Sequence, residues 1–299
     1  MKETLVIILS ETRTHELTYD NFKANVLDYL DADLCVCIGV RDNYDYNNPY
    51  YANATYKFTY DEPNDYATAF DYAYDCISKN NGNCDYDIHW REFLKIKDQF
   101  MGGILDNDNQ HQGSGGLLIF FRWFLLENFK KHNLIDKYKR FIITRSDFIY
   151  LLPHIKMEIL DDDYIYIPDG EKYKGVTDRH IILSGKYIEK FLNILPTFFF
   201  KGKEYFEKMK DNNEWNIEQL IKFHLTEQGL FDKVKFIPYT MFAVRNEGGT
   251  TRWAKGIYNQ QLGCYVKYQT ELAIAVENQT NFLNSPDKDL NNFYLKLIS

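Results

Sequence analysis

Two runs of β-forming apolar residues, residues 5–9 and Asp33–Val40, flank a stretch in which Tyr19, Phe22, Val26, Leu27 and Leu30 recur at helical spacing. Between the first run and the helix lies a polar break, Ser10-Glu11-Thr12-Arg13. Strand, turn, helix and strand in that order make a βαβ opening, and a parallel sheet follows from it. The alternation continues. Residues 140–144, 164–167, 179–183, 234–237 and 240–244 read as strands. Residues 117–131 form a nearly all-apolar helix with Ser114 as a plausible N-cap. Residues 186–195 form a second helix, which Pro196 is expected to end. Ile217, Leu220, Ile221, His224 and Leu225 mark a third. Residues 41–66 read as a loop rich in Tyr, Asn and Asp around a short strand near residues 56–60. Residues 78–87 read as a polar turn, and the tail from residue 286 as one terminal helix.

A chain of 299 residues is long enough to bury a full core. The alternation runs from residue 4 to about residue 245, so the expectation is one domain over 1–299, with 246–299 as a C-terminal loop and helix extension. The fold class is α/β, with a central, mostly parallel sheet flanked by helices. A formal charge of −8 repels phosphate backbones and argues against nucleic acid as a partner. It leaves room for a nucleotide, which needs only a local cationic site. The five cysteines include no metal-type pair, and Cys35 and Cys37, two apart, fall on one side of a strand. Buried reduced thiols in a cytoplasmic protein are the simplest account. No secretory leader is visible, and the longest apolar stretch, residues 117–126, carries Arg122 and falls short of the ~20 residues of a membrane span. A soluble chain without a span is expected.

Three segments carry candidate chemistry. The first is the strand that ends in Thr144-Arg145-Ser146-Asp147. Open α/β sheets bind ligands at the carboxyl ends of their strands. There an Asp can hold a cation that bridges phosphate oxygens, and an Arg can pair with phosphate. A structural Arg–Asp pair closing the strand is the other reading. The second is Gly175-Val-Thr-Asp178-Arg179-His180, which sets three ionisable side chains at the start of a buried strand. A solvated hairpin is its alternative. The third is Asn213-Glu214-Trp215-Asn216-Ile217-Glu218-Gln219, with Glu214 and Glu218 on one face of a helix start. Such acids commonly complement the helix dipole, and one at a rigid helix start can also serve as a general base. The run Arg245-Asn246-Glu247-Gly248-Gly249 with Arg252-Trp253 reads as a loop over a ligand or as plain surface. Asp161-Asp162-Asp163 reads as a solvated acidic turn. A P-loop, a dinucleotide-type Gly-x-Gly-x-x-Gly and a Gly-x-Ser-x-Gly are all absent.

The order of these segments resembles the glycosyltransferases of GT-A-like fold found in large DNA viruses of algae and amoebae, with plant and bacterial polysaccharide-transferase relatives. The opening Ser-Glu-Thr-Arg13 is similar to the start of that group, and the likeness covers residues 4 to about 245. The resemblance implies a nucleotide-sugar-binding fold and an enzyme moving a hexose or pentose from a nucleoside diphosphate, in the commonest case a UDP-sugar, to a glycan or glycoprotein hydroxyl. It implies donor contacts from Ser10, Glu11, Arg13, Arg145, Asp147, His180 and Arg245. It places Asp147 at the metal-binding Asp-x-Asp motif for Mn2+ or Mg2+, although position 145 is Arg, so only one carboxylate stands there. Asp178 falls where relatives meet the donor sugar, and Glu218-Gln219 resembles the pair opening the acceptor-side helix. Inversion with Glu218 as base, and Asp178 as second choice, is the expected mechanism. A capsid glycan made in the host cytoplasm is the acceptor that the viral likeness suggests. A non-catalytic nucleotide- or carbohydrate-binding module is the rival expectation.

Overall fold

The computed structural model of the chain describes residues 2–80, 88–96, 99–105, 111–212, 214–248 and 254–298. Eleven strands are assigned among them: β1 Thr4–Ser10, β2 Asp33–Val40, β3 Tyr56–Asp61, β4 Arg140–Thr144, β5 Phe148–Tyr150, β6 Ile165–Pro168, β7 Ile181–Ser184, β8 Val234–Ile237, β9 Met241–Arg245, β10 Ile257–Asn259 and β11 Cys264–Val266. Seven of them form the central sheet in the order β3-β2-β1-β4-β7-β6-β8. The pairs β1–β2, β2–β3, β1–β4 and β6–β8 are parallel. Strand β7 is the reversed member, antiparallel to both β4 and β6. The sheet is therefore mostly parallel, with helices on both faces.

The apolar runs read from the sequence have a direct physical cause. A sheet covered on both faces needs apolar side chains on both parities of each strand. Leu5, Ile7, Leu9, Cys35, Cys37, Phe141 and Ile143 pack into one core with the helices Tyr66–Asn80 and Gly115–Lys131. Val6, Ile8, Leu34, Val36, Ile38 and Ile142 face the other core, with Tyr19, Phe22 and Val26 of the first crossover helix. That crossover starts as His15–Phe22 and continues through a wider π turn, Lys23–Leu27.

A second sheet, in the order β10-β11-β9-β5, is antiparallel throughout. Its position matters for the site. Strand β5 begins one residue after Asp147, and the pairings Phe148↔Ala243 and Val266↔Val244 bring the ends of β4, β9 and β11 to one place.

Three differences from the sequence reading stand out. Pro196 does not end a helix. It is the third residue of a new one, Ile194–Phe200, after a break at Asn193. A first-turn proline gives up an N–H that has no partner within the helix, so the cost is small. The helix Tyr66–Asn80 fills the stretch between the expected loop and the expected polar turn, for which the sequence reading names no element, and runs into the start of that turn. Beyond residue 245 lie two strands and a 16-residue helix, Gln269–Asn284, ahead of the terminal helix Leu290–Leu297. No helix among the described residues is long and apolar enough to cross a membrane.

Candidate active site

The carboxyl ends of β1 and β4 open into a cleft with two joined compartments. The first is lined by Ser10, Glu11, Arg13, Arg145, Ser146 and Asp147, and by Arg245 and Lys267 from the second sheet. The second is lined by Gln112, Gly113, Tyr173, Asn216, Glu218 and Tyr268. Ser114, Leu118, Arg145, Asp178, Arg179 and Lys267 border both.

The loop after β1 is held in an unusual conformation. Ser10 and Thr14 have φ of 74° and 61°, in the left-handed region that residues with a Cβ rarely adopt. Ser146 anchors the segment between them. Its hydroxyl accepts from the Arg13 main-chain N–H at 2.9 Å and donates toward the Glu11 and Arg13 carbonyls at 3.1 and 3.2 Å. Thr18 and Tyr50 donate to the Ser146 carbonyl at 2.6 and 2.9 Å. Asn48 donates to the Thr12 carbonyl at 2.9 Å. Strain maintained by this many bonds is typical of a loop shaped for a ligand.

Asp147 sits at the centre, 1% exposed. Arg145 grips it with two bonds, Nε to Oδ1 and Nη2 to Oδ2, both 2.8 Å, and Arg245 Nη1 bonds Oδ2 from the other side. Burial alone would raise its carboxyl, but Arg145, Arg245 and Arg13 hold it well below the usual range. This donor set does not fit a divalent cation. Both oxygens are taken by guanidinium N–H groups, and the charges acting on them are cations. Among the described residues, no three His, Cys, Asp or Glu side chains gather as a metal site. The reading of Asp147 as holder of Mn2+ or Mg2+ therefore finds no supporting ligands.

Cations exceed anions here. The first compartment is lined by four arginines, Arg13, Arg145, Arg179 and Arg245, and by Lys267, against three carboxylates, Glu11, Asp147 and Asp178. Arg245 is 1% exposed, yet its Nε and Nη2 donors have no hydrogen-bond partner among the described residues. Buried donors are nearly always satisfied, so orphans beside a cleft point to an absent acceptor. Arg179 pairs with the fully buried Glu271, which also accepts from Tyr239 Oη at 2.8 Å and from the Ala243 N–H at 3.0 Å.

The second compartment carries the acids. Glu218 lies in the first turn of the helix Ile217–Glu227, whose start is fixed by a reciprocal cap between Asn216 and Gln219. Gln219 is thus a structural cap. The Val176 N–H bonds the Glu218 carbonyl at 3.2 Å, and Gly175 lies so close that an added Cβ would stand 2.1 Å from the Glu218 main chain. No other residue fits at 175 without moving Glu218. Burial, and then the neighbouring Asp178, push the Glu218 carboxyl up to about 8. Asp178 has Arg179 Nε 3.8 Å from Oδ1. Beneath the pair lies Arg122, fully buried in the apolar helix, with Nη1 donating to the Leu118 carbonyl at 3.0 Å and Nη2 to the Asp178 carbonyl at 3.4 Å.

Of the residues expected at the donor site, Ser10, Glu11, Arg13, Arg145, Asp147 and Arg245 share the first compartment, Asp178 borders both, and Glu218 lies in the second. His180 does not join them. It is 1% exposed and bonded to Thr144 Oγ1 and to His154 Nε2, both at 3.0 Å. Burial, and then His154, hold it well below the ordinary histidine range, so it stays neutral inside the fold. Residues 178–180 lie ahead of β7, so strand alternation does not govern them: Asp178 and Arg179 both border the cleft, while His180 turns into the fold toward Thr144 and His154. Glu214 is exposed and paired with Lys174. Residues 249–253, including Arg252 and Trp253, lie outside the described residues. Lys267, Tyr268 and Glu271 went unread. Their one signal was the short β-forming run Cys264–Val266 after Gly263, which makes residue 267 a strand exit.

No family model matches the chain, and no curated protein does. Among solved structures, it is similar to the crystal structure of a candidate nucleotide-diphospho-sugar transferase from Desulfovibrio desulfuricans G20. The two are 12% identical, with a TM-score of 0.34 over 78% of this chain and 79% of that one. A likeness this low bears on neither fold nor activity.

Proposed function

We propose that the chain is a glycosyltransferase of GT-A-like fold that moves a sugar from a nucleoside diphosphate, a uridine diphosphate in the simplest case, to a hydroxyl of a glycan. The observation that carries this reading is the cationic surplus at the carboxyl ends of β1 and β4, with the orphaned donors of Arg245. A diphosphate diester brings two negative charges and many acceptor oxygens, which is the complement of that surface.

The reaction follows from the two compartments. The diphosphate occupies the first, and the acceptor lies in the second beside Glu218. The sugar carbon sits at their junction, by Asp178. The bond from that carbon to the diphosphate oxygen breaks, and the electron pair leaves with the diphosphate. The acceptor oxygen bonds the carbon from the opposite face, and its proton passes to Glu218, with inversion. A base with its pKa near 8 is strong, but only a minor fraction is ionised at neutral pH. Turnover therefore rises as the pH is raised toward about 8.

The test is a thermal-shift panel of nucleoside diphosphates and nucleotide sugars, followed by turnover of any donor that binds. Glu218→Gln is expected to keep donor binding, to lose about 10²–10⁴ in turnover and to remove the rise with pH. Unchanged turnover removes Glu218 from the chemistry. Donor binding without either transfer or hydrolysis assigns the chain instead to a binding module.

A further inference from the structure

We propose that Lys267, in place of a divalent cation, neutralises the diphosphate of the donor. The inference rests on the nucleoside-diphosphate reading above and names the group that completes it.

Lys267 borders both compartments, at the exit of β11. Its main-chain N–H is tied to the Ala243 carbonyl at 2.8 Å, so its Cα is fixed to the second sheet. Its ammonium lies over the Tyr268 ring at 4.8 Å and has no hydrogen bond or ion pair among the described residues. Every other cation of the first compartment is already engaged: Arg13 with Glu11, Arg145 and Arg245 with Asp147, and Arg179 with Glu271. Lys267 is the basic side chain there that no carboxylate among the described residues engages.

The groups around it come from several elements. Arg145 and Asp147 follow β4, Asp178 and Arg179 precede β7, Arg245 ends β9 and Glu218 starts its helix. Burial first, and then the three guanidiniums of Arg145, Arg179 and Arg245, push the Lys267 amine down to about 6. In the empty cleft it is therefore largely uncharged at neutral pH. An entering diphosphate reverses the local field, and the amine regains its proton beside the phosphate oxygens. A divalent cation in the same place would face those guanidiniums and find no free carboxylate oxygen on Asp147. Glu218 is the other group that titrates in this range. A nearby anion also raises its proton affinity, so removing its carboxyl separates its contribution to the uptake from that of Lys267.

The experiment is titration calorimetry with uridine diphosphate at about pH 7.5, in EDTA and again with Mn2+, in two buffers of different ionisation enthalpy. The wild type, Lys267→Met, Lys267→Arg and Glu218→Gln are compared, with circular dichroism as a check of folding. The wild type is expected to bind with the same affinity in EDTA and Mn2+, within about twofold, and to take up close to one proton per site. Lys267→Met is expected to lose at least about tenfold in affinity and to lose the proton uptake. Lys267→Arg, always charged, should bind without uptake, and Glu218→Gln should keep it. Binding that requires Mn2+, or a Lys267→Met protein with wild-type affinity and uptake, overturns the proposal while leaving the nucleotide reading intact. A folded wild type that binds none of the panel, with or without metal, removes the nucleotide reading and this inference with it.

Discussion

Both ends of the central sheet gather charged side chains, and the two gatherings differ in kind. At the amino end Lys2 pairs with Asp31 at 3.4 Å, Lys139 with Glu3 at 2.6 Å and Lys186 with Asp163 at 2.5 Å. These partners are mostly in water, and signs balance pair by pair. Even Arg140, which is buried, finds Asp162 at 2.6 Å. At the carboxyl end Asp147, Arg245, Arg179 and Glu271 are nearly or fully buried, cations outnumber carboxylates, and donors are left unbonded. Exposed pairs cost little to keep and contribute little. Buried ones are expensive to assemble and are retained where they serve a purpose. The acidic turn Asp161-Asp162-Asp163 belongs to the first kind: Asp162 pairs with Arg140 and Asp163 with Lys186.

The contrast can be broken most sharply at Asp147. Asp147→Ala leaves Arg145 and Arg245 facing each other without a counter-charge. Urea unfolding should show a loss of about 3–5 kcal/mol, together with loss of donor binding. A stability close to wild type would mean that the carboxyl-end cluster is no more demanding than a surface pair.

A smaller effect is expected from pH, through His154 and His180. Burial holds His154 down to about 4, and His180 lies well below its ordinary value. Both are neutral in the fold, while in the unfolded chain each titrates near 6.5. Below about 6.5 the unfolded state binds protons that the folded state refuses, so stability falls as the pH drops toward 4, where His154 itself begins to protonate. The loss attributable to His154 is on the order of 3 kcal/mol across that window. Denaturation midpoints at several pH values should show it, and His154→Gln should flatten the slope. An unchanged slope would mean that these histidines are not the acid-sensitive groups.

The smallest effect sharpens the other side of the comparison. Lys139→Ala removes an exposed partner of Glu3, and the unfolding midpoint is expected to stay within experimental error. A clear shift would mean that the amino-end charges form a working network.

Much of the scaffold was legible because it rests on local rules. The strand Asp33–Val40 stands where its apolar run stands, and β1, β3, β4 and β8 lie within a residue or so of their patterns. Burial on both faces leaves a continuous apolar run, which a window of eight residues is enough to show. Less legible was the direction of β7, since a short apolar run has the same composition whichever way it pairs. The helix Tyr66–Asn80 was hidden by a sequence rich in Tyr and Asp, whose tertiary packing against Gly115–Lys131 outweighs local preference.

The sequence by itself determined that an Arg and an Asp leave a buried strand together at the end of a parallel sheet, because side-chain period and strand termination are properties of a few neighbouring residues. Only the tertiary structure decided what that Asp does. Its second guanidinium comes from residue 245, and the lysine that lines the same compartment from residue 267. Charge interactions depend on distance and dielectric, which the folded chain sets between residues a hundred positions apart, and no local pattern encodes them.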